Sequence, residues 1–304
     1  MDIAREGLER QRAKRKRVAR MKKMIIYTLV GFMILTLCVM TFLCVEVLSL
    51  QRQIDELSSH VATSQEVDNP EQMVEDSYLD DLYKVDNAEN EAKEGDIPMV
   101  YLTFDDGPSD NTNKILDILD DYNVKATFFV VGQDTSKYGD AYRRIVDEGH
   151  TIGMHSYSHK YSEIYSSKES FEADYNKIHD LILETTGVDT KYYRFPGGSS
   201  NIVGKCSMSV FINSLNEKGT VYYDWNVVSG DATSRAFTAD ELVDNVMSDV
   251  VKYKTSVVLF HDASNKDATV EALPKLIEKL NEAGAMILPI TDDTTVIQSV
   301  NVVQ

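Results

Sequence analysis

The sequence predicts an α/β protein with a mostly parallel sheet, and two observations predict it. After Pro98, short apolar runs alternate with longer stretches of helical periodicity, and chemically unusual residues stand where the apolar runs end. Seven strands are expected: Met99 to Phe104, Ala126 to Val131, Thr151 to Met154, Tyr192 to Phe195, Thr220 to Asn226, Ser256 to Phe260 and Met286 to Ile290. Between them Lys114 to Tyr122, Tyr142 to Glu148, Phe171 to Thr185, Glu241 to Tyr253 and Val270 to Ala283 carry apolar residues at helical spacing. Such alternation builds either a closed barrel or an open doubly wound sheet. A domain of about 205 residues closes a sizeable core by itself.

The chain before Pro98 reads differently. Residues 1–23 hold ten Lys and Arg against Asp2, Glu6 and Glu9, a net of +7 in a chain whose total is −18. Clustered cations bind phosphates, but the next segment explains them better. Residues 24–45 carry no charge and as a helix span about 33 Å, the thickness of a bilayer's hydrocarbon core. A cleaved signal peptide has a shorter apolar region and small residues before its cleavage site, and the leucines preceding Cys38 and Cys44 argue against a lipoprotein anchor. The expectation is a signal anchor, with a cytoplasmic basic arm and everything after Glu46 outside. Val47, Leu50, Ile54, Leu57 and Val61 follow at heptad spacing for about two heptads, enough for weak homodimer potential over 47–61. Residues 46–96 form an acidic, partly helical stalk. Cys38 and Cys44 fall inside the apolar span, so Cys206 alone remains outside and forms no intrachain disulfide.

The strand ends carry the chemistry. Asp105 and Asp106 follow the first strand, His155 the third with His159 four residues on, Arg194 and Pro196 the fourth, and His261 and Asp262 the sixth; Asp224 and Trp225 lie in the fifth. Parallel α/β folds collect their active sites on that edge. Each residue has a bland reading: Asp-Asp-Gly-Pro as a polar turn, the histidine pair as surface, His261 as a satisfied core residue, Trp225 as packing. Asp106 as a third ligand turns the histidine pair into two imidazoles and a carboxylate, a set common in hydrolytic metal sites.

Taken together, residues 97–304 resemble the polysaccharide deacetylase family, the NodB homology domain of carbohydrate esterase family 4. The motifs run in order: Thr-Phe-Asp-Asp-Gly at 103–107, His-Ser-x-x-His at 155–159, Arg-Phe-Pro-Gly-Gly at 194–198, Asp224-Trp225, and Leu259-Phe260-His261. The resemblance implies a distorted (β/α) barrel of about seven parallel strands, and one divalent metal, usually zinc with cobalt or nickel also serving, on Asp106, His155 and His159. It further implies Asp105 as general base oriented and held ionised by Arg194, and His261 as general acid with Asp224 fixing its ring. The backbone N–H of Gly197, after Pro196, would hold the oxyanion, and Trp225 and Leu259 would wall the acetyl pocket. Two departures stand out: Val221 where the fourth motif often has an aspartate, and Gly197 where the third often has a tyrosine. The expected function is removal of acetyl groups from N-acetylglucosamine units of a cell-surface polysaccharide, peptidoglycan first. An exopolysaccharide, O-acetyl esters such as acetylxylan, or a silent carbohydrate-binding scaffold are the alternatives. No nucleic-acid partner is expected.

Overall fold

The computed structural model describes residues 90–93, 95–202, 206–233 and 235–300. The expected basic arm, membrane span and heptads lie outside these. Among the described residues no helix is long and apolar enough to cross a membrane.

The strands are β1 (Met99–Asp105), β2 (Thr127–Val131), β3 (Thr151–Ser156), β4 (Tyr192–Tyr193), β5 (Val221–Tyr222), β6 (Val227–Val228), β7 (Thr255–His261) and β8 (Met286–Ile287). All the ladders between them are parallel, in the order β5-β4-β3-β2-β1-β7-β6, with β8 also pairing β1. The single fifth strand expected over Thr220 to Asn226 is therefore two short ladders on opposite edges of the sheet. Tyr223 N donates to Tyr193 O and Asn226 N to Val257 O, so the chain passes from one edge to the other within a few residues. Five peptide units from Tyr222 to Val227 reach at most about 17 Å. A flat sheet of seven strands at about 4.8 Å spacing would set its edges about 29 Å apart. The sheet must curl, and the segment 223–226 bridges what would otherwise be the open side of a barrel.

The curl gives the sheet an inside and an outside. Outside, Leu102, Phe104, Phe128, Val130, Tyr193, Phe195, Val258 and Phe260 join one large buried cluster with the helices. Inside is a small one, Tyr101, Phe129, Tyr223, Val257 and Ile290, with Trp225 against it. The outer layer is α1 (Thr112–Asp121), α2 (Thr135–Asp147), α3 (Tyr161–Ile164), α4 (Lys168–Thr186), α5 (Met208–Glu217), α6 (Ala239–Val250) and α7 (Asp267–Glu282). Apolar periodicity starts late in several of these because their first turns are polar and capped: Asp134, Ser167 and Thr238 each accept a backbone N–H at the helix start. The short α3 and α5 were not anticipated. Cys206 is half-buried and free, as expected.

One inner position is fixed by space. Gly153 of β3 lies opposite Phe129, and a Cβ there would stand 2.7 Å from the Phe129 ring and 3.3 Å from Tyr192 O. Since that ring supports the buried Arg194 guanidinium at 4.2 Å, it has little room to retreat. Gly153→Ala is expected to destabilise the fold by about 1–3 kcal/mol, read as a lower urea midpoint. An unchanged midpoint would show that the ring gives way freely.

Candidate active site

Strand periodicity and register deliver the site. On β1, Tyr101, Thr103 and Asp105 share the inner face, and Asp105 pairs with Phe129 of β2 and His261 of β7. Phe129 pairs with Gly153, and His155 is two residues further along the same face of β3. Arg194 follows β4, its N–H donating to Met154 O at 2.8 Å. The inner apolar cluster is thus capped by Asp105, His155, Arg194 and His261.

Arg194 is fully buried and fully engaged. Nε donates to Tyr223 O at 3.0 Å, Nη2 to Asp224 O at 3.0 Å, and Nη1 to Thr103 Oγ1 at 2.6 Å and Asp105 Oδ1 at 2.9 Å. Asp105 is itself buried, and burial pushes its carboxyl above the usual carboxylate range, although Arg194 and His261 pull the other way. A carboxylate so placed takes up a proton more readily than an exposed one, as a general base must.

Beside it, Asp106, His155 and His159 form the one group of metal-ligating type among the described residues, each offering a ligand atom within 4.8 Å of the others. His155 Nδ1 lies 2.8 Å from Arg194 O; a carbonyl only accepts, so Nδ1 carries the proton and Nε2 presents its lone pair. That Nε2 is 3.5 Å from Asp106 Oδ1, and His159 Nε2 is 3.1 Å from the same oxygen. Burial drives the His155 imidazole down to about 3, so it is neutral and fit to ligate. Asp106 Oδ1 is buried with no hydrogen-bond donor. Two imidazoles and a donorless carboxylate oxygen at these separations fit a divalent cation of the zinc type. Asp106 at φ 74° and His159 at φ 51° both hold left-handed backbone, a strain that the surroundings must impose.

Asp174 of α4 imposes part of it. Its carboxylate accepts from Ser156 Oγ at 2.7 Å, Tyr157 N at 2.8 Å and Ser158 N at 2.9 Å, and Ser156 Oγ accepts from His159 N at 2.8 Å. Asp174 was missed in the sequence, yet it stood out there: it occupies the buried stripe of Phe171, Tyr175, Ile178 and Ile182, where a carboxylate needs a reason.

The partner assigned to His261 is corrected. Asp231, not Asp224, fixes the ring: Asp231 Oδ1 lies 2.8 Å from His261 Nδ1, and Oδ2 accepts from His261 N at 2.7 Å and Thr269 Oγ1 at 2.9 Å. Burial would lower the His261 pKa, but the Asp231 hydrogen bond and the charges of Asp105, Asp231 and Asp106 outweigh it and the net direction is up. Asp224 does other work. It accepts from Ser199 N at 2.8 Å, from Ser199 Oγ and from Ser299 N at 2.7 Å, tying the Gly197–Ser199 turn to the C-terminal segment. Asp231 was missed because the fifth strand was ended at Asn226; β6 carries the ladder to Val228, and Asp231 is a strand-end residue by the same rule that found the others.

The remaining expected residues surround that turn. Pro196 O accepts from Tyr165 Oη at 2.9 Å. Gly197 has φ 79°, and a Cβ there would meet the Tyr161 ring at 2.9 Å. A Cβ on Gly198 would lie 3.2 Å from Trp225, placing the half-buried indole against the turn. Leu259 is buried on the inner face of β7, two residues before His261. Val221 pairs with Tyr192 and packs on the inner cluster.

With this geometry in place, similarity to known proteins can be weighed. The family model described as Polysaccharide deacetylase matches residues 92–203. A peptidoglycan-N-acetylglucosamine deacetylase of Bacillus cereus (strain ATCC 14579) is 30% identical over 202 residues, 64% of this chain and 87% of that protein. The YheN protein of Bacillus subtilis (strain 168) is 36% identical over 61% of this chain, which spans only 64% of YheN's length. Among solved structures, the catalytic domain of peptidoglycan N-acetylglucosamine deacetylase from Eubacterium rectale ATCC 33656 superposes with a TM-score of 0.63 at 40% identity, covering 69% of this chain and 95% of that one. Strand order, site composition and these likenesses agree, and the chain belongs to the polysaccharide deacetylase family.

Proposed function

We propose that this protein hydrolyses the acetamide of N-acetylglucosamine units in peptidoglycan, releasing acetate, with its domain held outside the cell by the apolar span at 24–45. The observation that carries the chemistry is one sheet edge on which a buried carboxylate on arginine, a histidine on aspartate and a three-ligand cluster stand together. The glycan is supported by the names of the B. cereus and E. rectale relatives, and the membrane side by the basic arm before the span.

Asp106, His155 and His159 would hold a divalent metal, zinc by the donor set, and when bound it would supply a Lewis acid that lowers the pKa of water towards neutrality. Asp105, aimed by Arg194, removes the proton from the attacking water. As the acetamide carbon becomes tetrahedral, the Gly197 N–H is a hydrogen-bond donor for the oxygen that gains charge. His261, kept cationic by Asp231, protonates the departing amine, without which the C–N bond does not break.

Acetate release by the full-length chain from peptidoglycan and from N-acetylglucosamine oligomers tests this reading. Release should be abolished by chelator and restored by zinc, and Asp105→Asn should lower it by on the order of 10²- to 10⁴-fold while still binding metal. Asp105→Asn with full activity would sink the assignment. The acid arm has its own signature. A general acid works below its pKa, so activity falls as pH rises through that of His261; Asp231→Asn lowers it, and the basic limb of kcat/KM against pH should move to lower pH. A limb that stays put would remove His261 as the acid. Asp174→Asn should weaken zinc affinity by about 10- to 100-fold in a competitive chelator titration, because the His155–His159 loop loses its anchor. Unchanged affinity would mean that the loop holds itself.

A further inference from the structure

Tyr161, the first residue of α3, lies two positions past His159 and belongs to none of the motifs. Its ring stands edge-on to the His159 imidazole, centroids 5.6 Å apart at 88°, and is backed by Tyr165 at 5.9 Å. Its other edge fills the space over Gly197: a Cβ built there would be 2.9 Å from Tyr161 Cε1 and 3.1 Å from Tyr161 Oη. The hydroxyl makes no hydrogen bond to the protein among the described residues, whereas its neighbour Tyr165 spends its own on Pro196 O. The residue is half-buried, and a phenol hydroxyl is a hydrogen-bond donor as well as an acceptor.

The distance to the Gly197 N–H follows from covalent geometry. A residue's N and Cβ are about 2.5 Å apart, so Tyr161 Oη and Gly197 N are separated by at most about 5.6 Å. That is no more than two hydrogen-bond lengths, so one oxygen can accept from both.

We propose that the Tyr161 hydroxyl is a second donor, beside the Gly197 N–H, to the acetamide oxygen as it gains negative charge. The proposal rests on the deacetylase reading and adds to it a catalytic side chain from α3. Tyr161 would also set which acyl groups fit, because its ring roofs the turn against which Trp225 packs.

Tyr161→Phe keeps the ring and removes only the donor. Three readouts on the full-length protein separate the outcomes. Cobalt(II) affinity, followed by absorption, should stay within twofold of the parent. Acetate, which places an oxygen where the carbonyl oxygen sits, should perturb the cobalt spectrum with several-fold weaker affinity. On N-acetylglucosamine oligomers kcat should fall about 10- to 100-fold with KM within threefold, as for loss of one oxyanion donor from a half-exposed site. Unchanged kcat and acetate affinity would overturn the proposal, and so would a parallel loss of cobalt affinity, which would make Tyr161 a support for His159. A parent protein that binds acetate through Tyr161 yet releases none from N-acetylated glycans would overturn the deacetylase reading while leaving the two-donor hole standing.

Discussion

The site depends on one buried cation. Burying an isolated guanidinium costs several kcal/mol, and here it is offset by four hydrogen bonds and a ring face, with no solvent contact. The partners come from β1, β2 and the segment that bridges the sheet's two edges, so the cation can be satisfied only when the barrel has curled. Its two ends serve different parts of the chemistry. The guanidinium aims Asp105, while the same residue's carbonyl fixes the His155 tautomer. Asp105 and His155 are thereby coupled through one residue, and lysine could not replace it, since an ammonium lacks the planar fork that reaches Thr103, Asp105, Tyr223 and Asp224 together.

Two histidines of one cleft show how environment divides labour. His155 is buried, so its charge is disfavoured, and with the Nδ1 proton on a backbone carbonyl the Nε2 lone pair is left facing Asp106. His261 has a carboxylate for a partner, and its charge is favoured despite burial. Burial disfavours charge on both rings; the carboxylate across from Nδ1 reverses that at His261, and the carbonyl at His155 does not. Asp231 thus sets the charge of one ring, and Arg194 O the tautomer of the other.

What was legible in the sequence was whatever sits at the end of a distinct apolar run. Asp105, Asp106, His155, Arg194 and His261 follow such runs, and the fold brings them together. Where one apolar run crosses between sheet edges, the reading fails. The strand expected over Thr220 to Asn226 begins as β5 and ends at the approach to β6, because tertiary curvature, which no local pattern carries, separates the two ladders. That misplaced strand end transferred the role of Asp231 to Asp224. Asp174 escaped for another reason. It acts through a serine hydroxyl and two backbone N–H groups 16 to 18 residues earlier in the chain, and such contacts have no sequence spacing to recognise.

The glycine at 197 takes on a different meaning beside Tyr161. Read alone, it removes a side chain and widens the groove. In the folded chain the opening is filled from the other direction, because the Tyr161 ring stands where a side chain at 197 would begin. The positive φ at 197 already favours glycine, and the ring makes any larger residue there collide with Cε1. The two positions therefore form one choice: an aromatic ring borne by the turn, or a turn stripped to glycine under a ring borne by α3. The second choice places the ring on the element that follows the His155–His159 loop, in edge contact with His159. The Tyr161 ring and the His159 imidazole then move together, so the space over the turn at Gly197 and the spacing of the Asp106, His155 and His159 cluster are set by the same few residues.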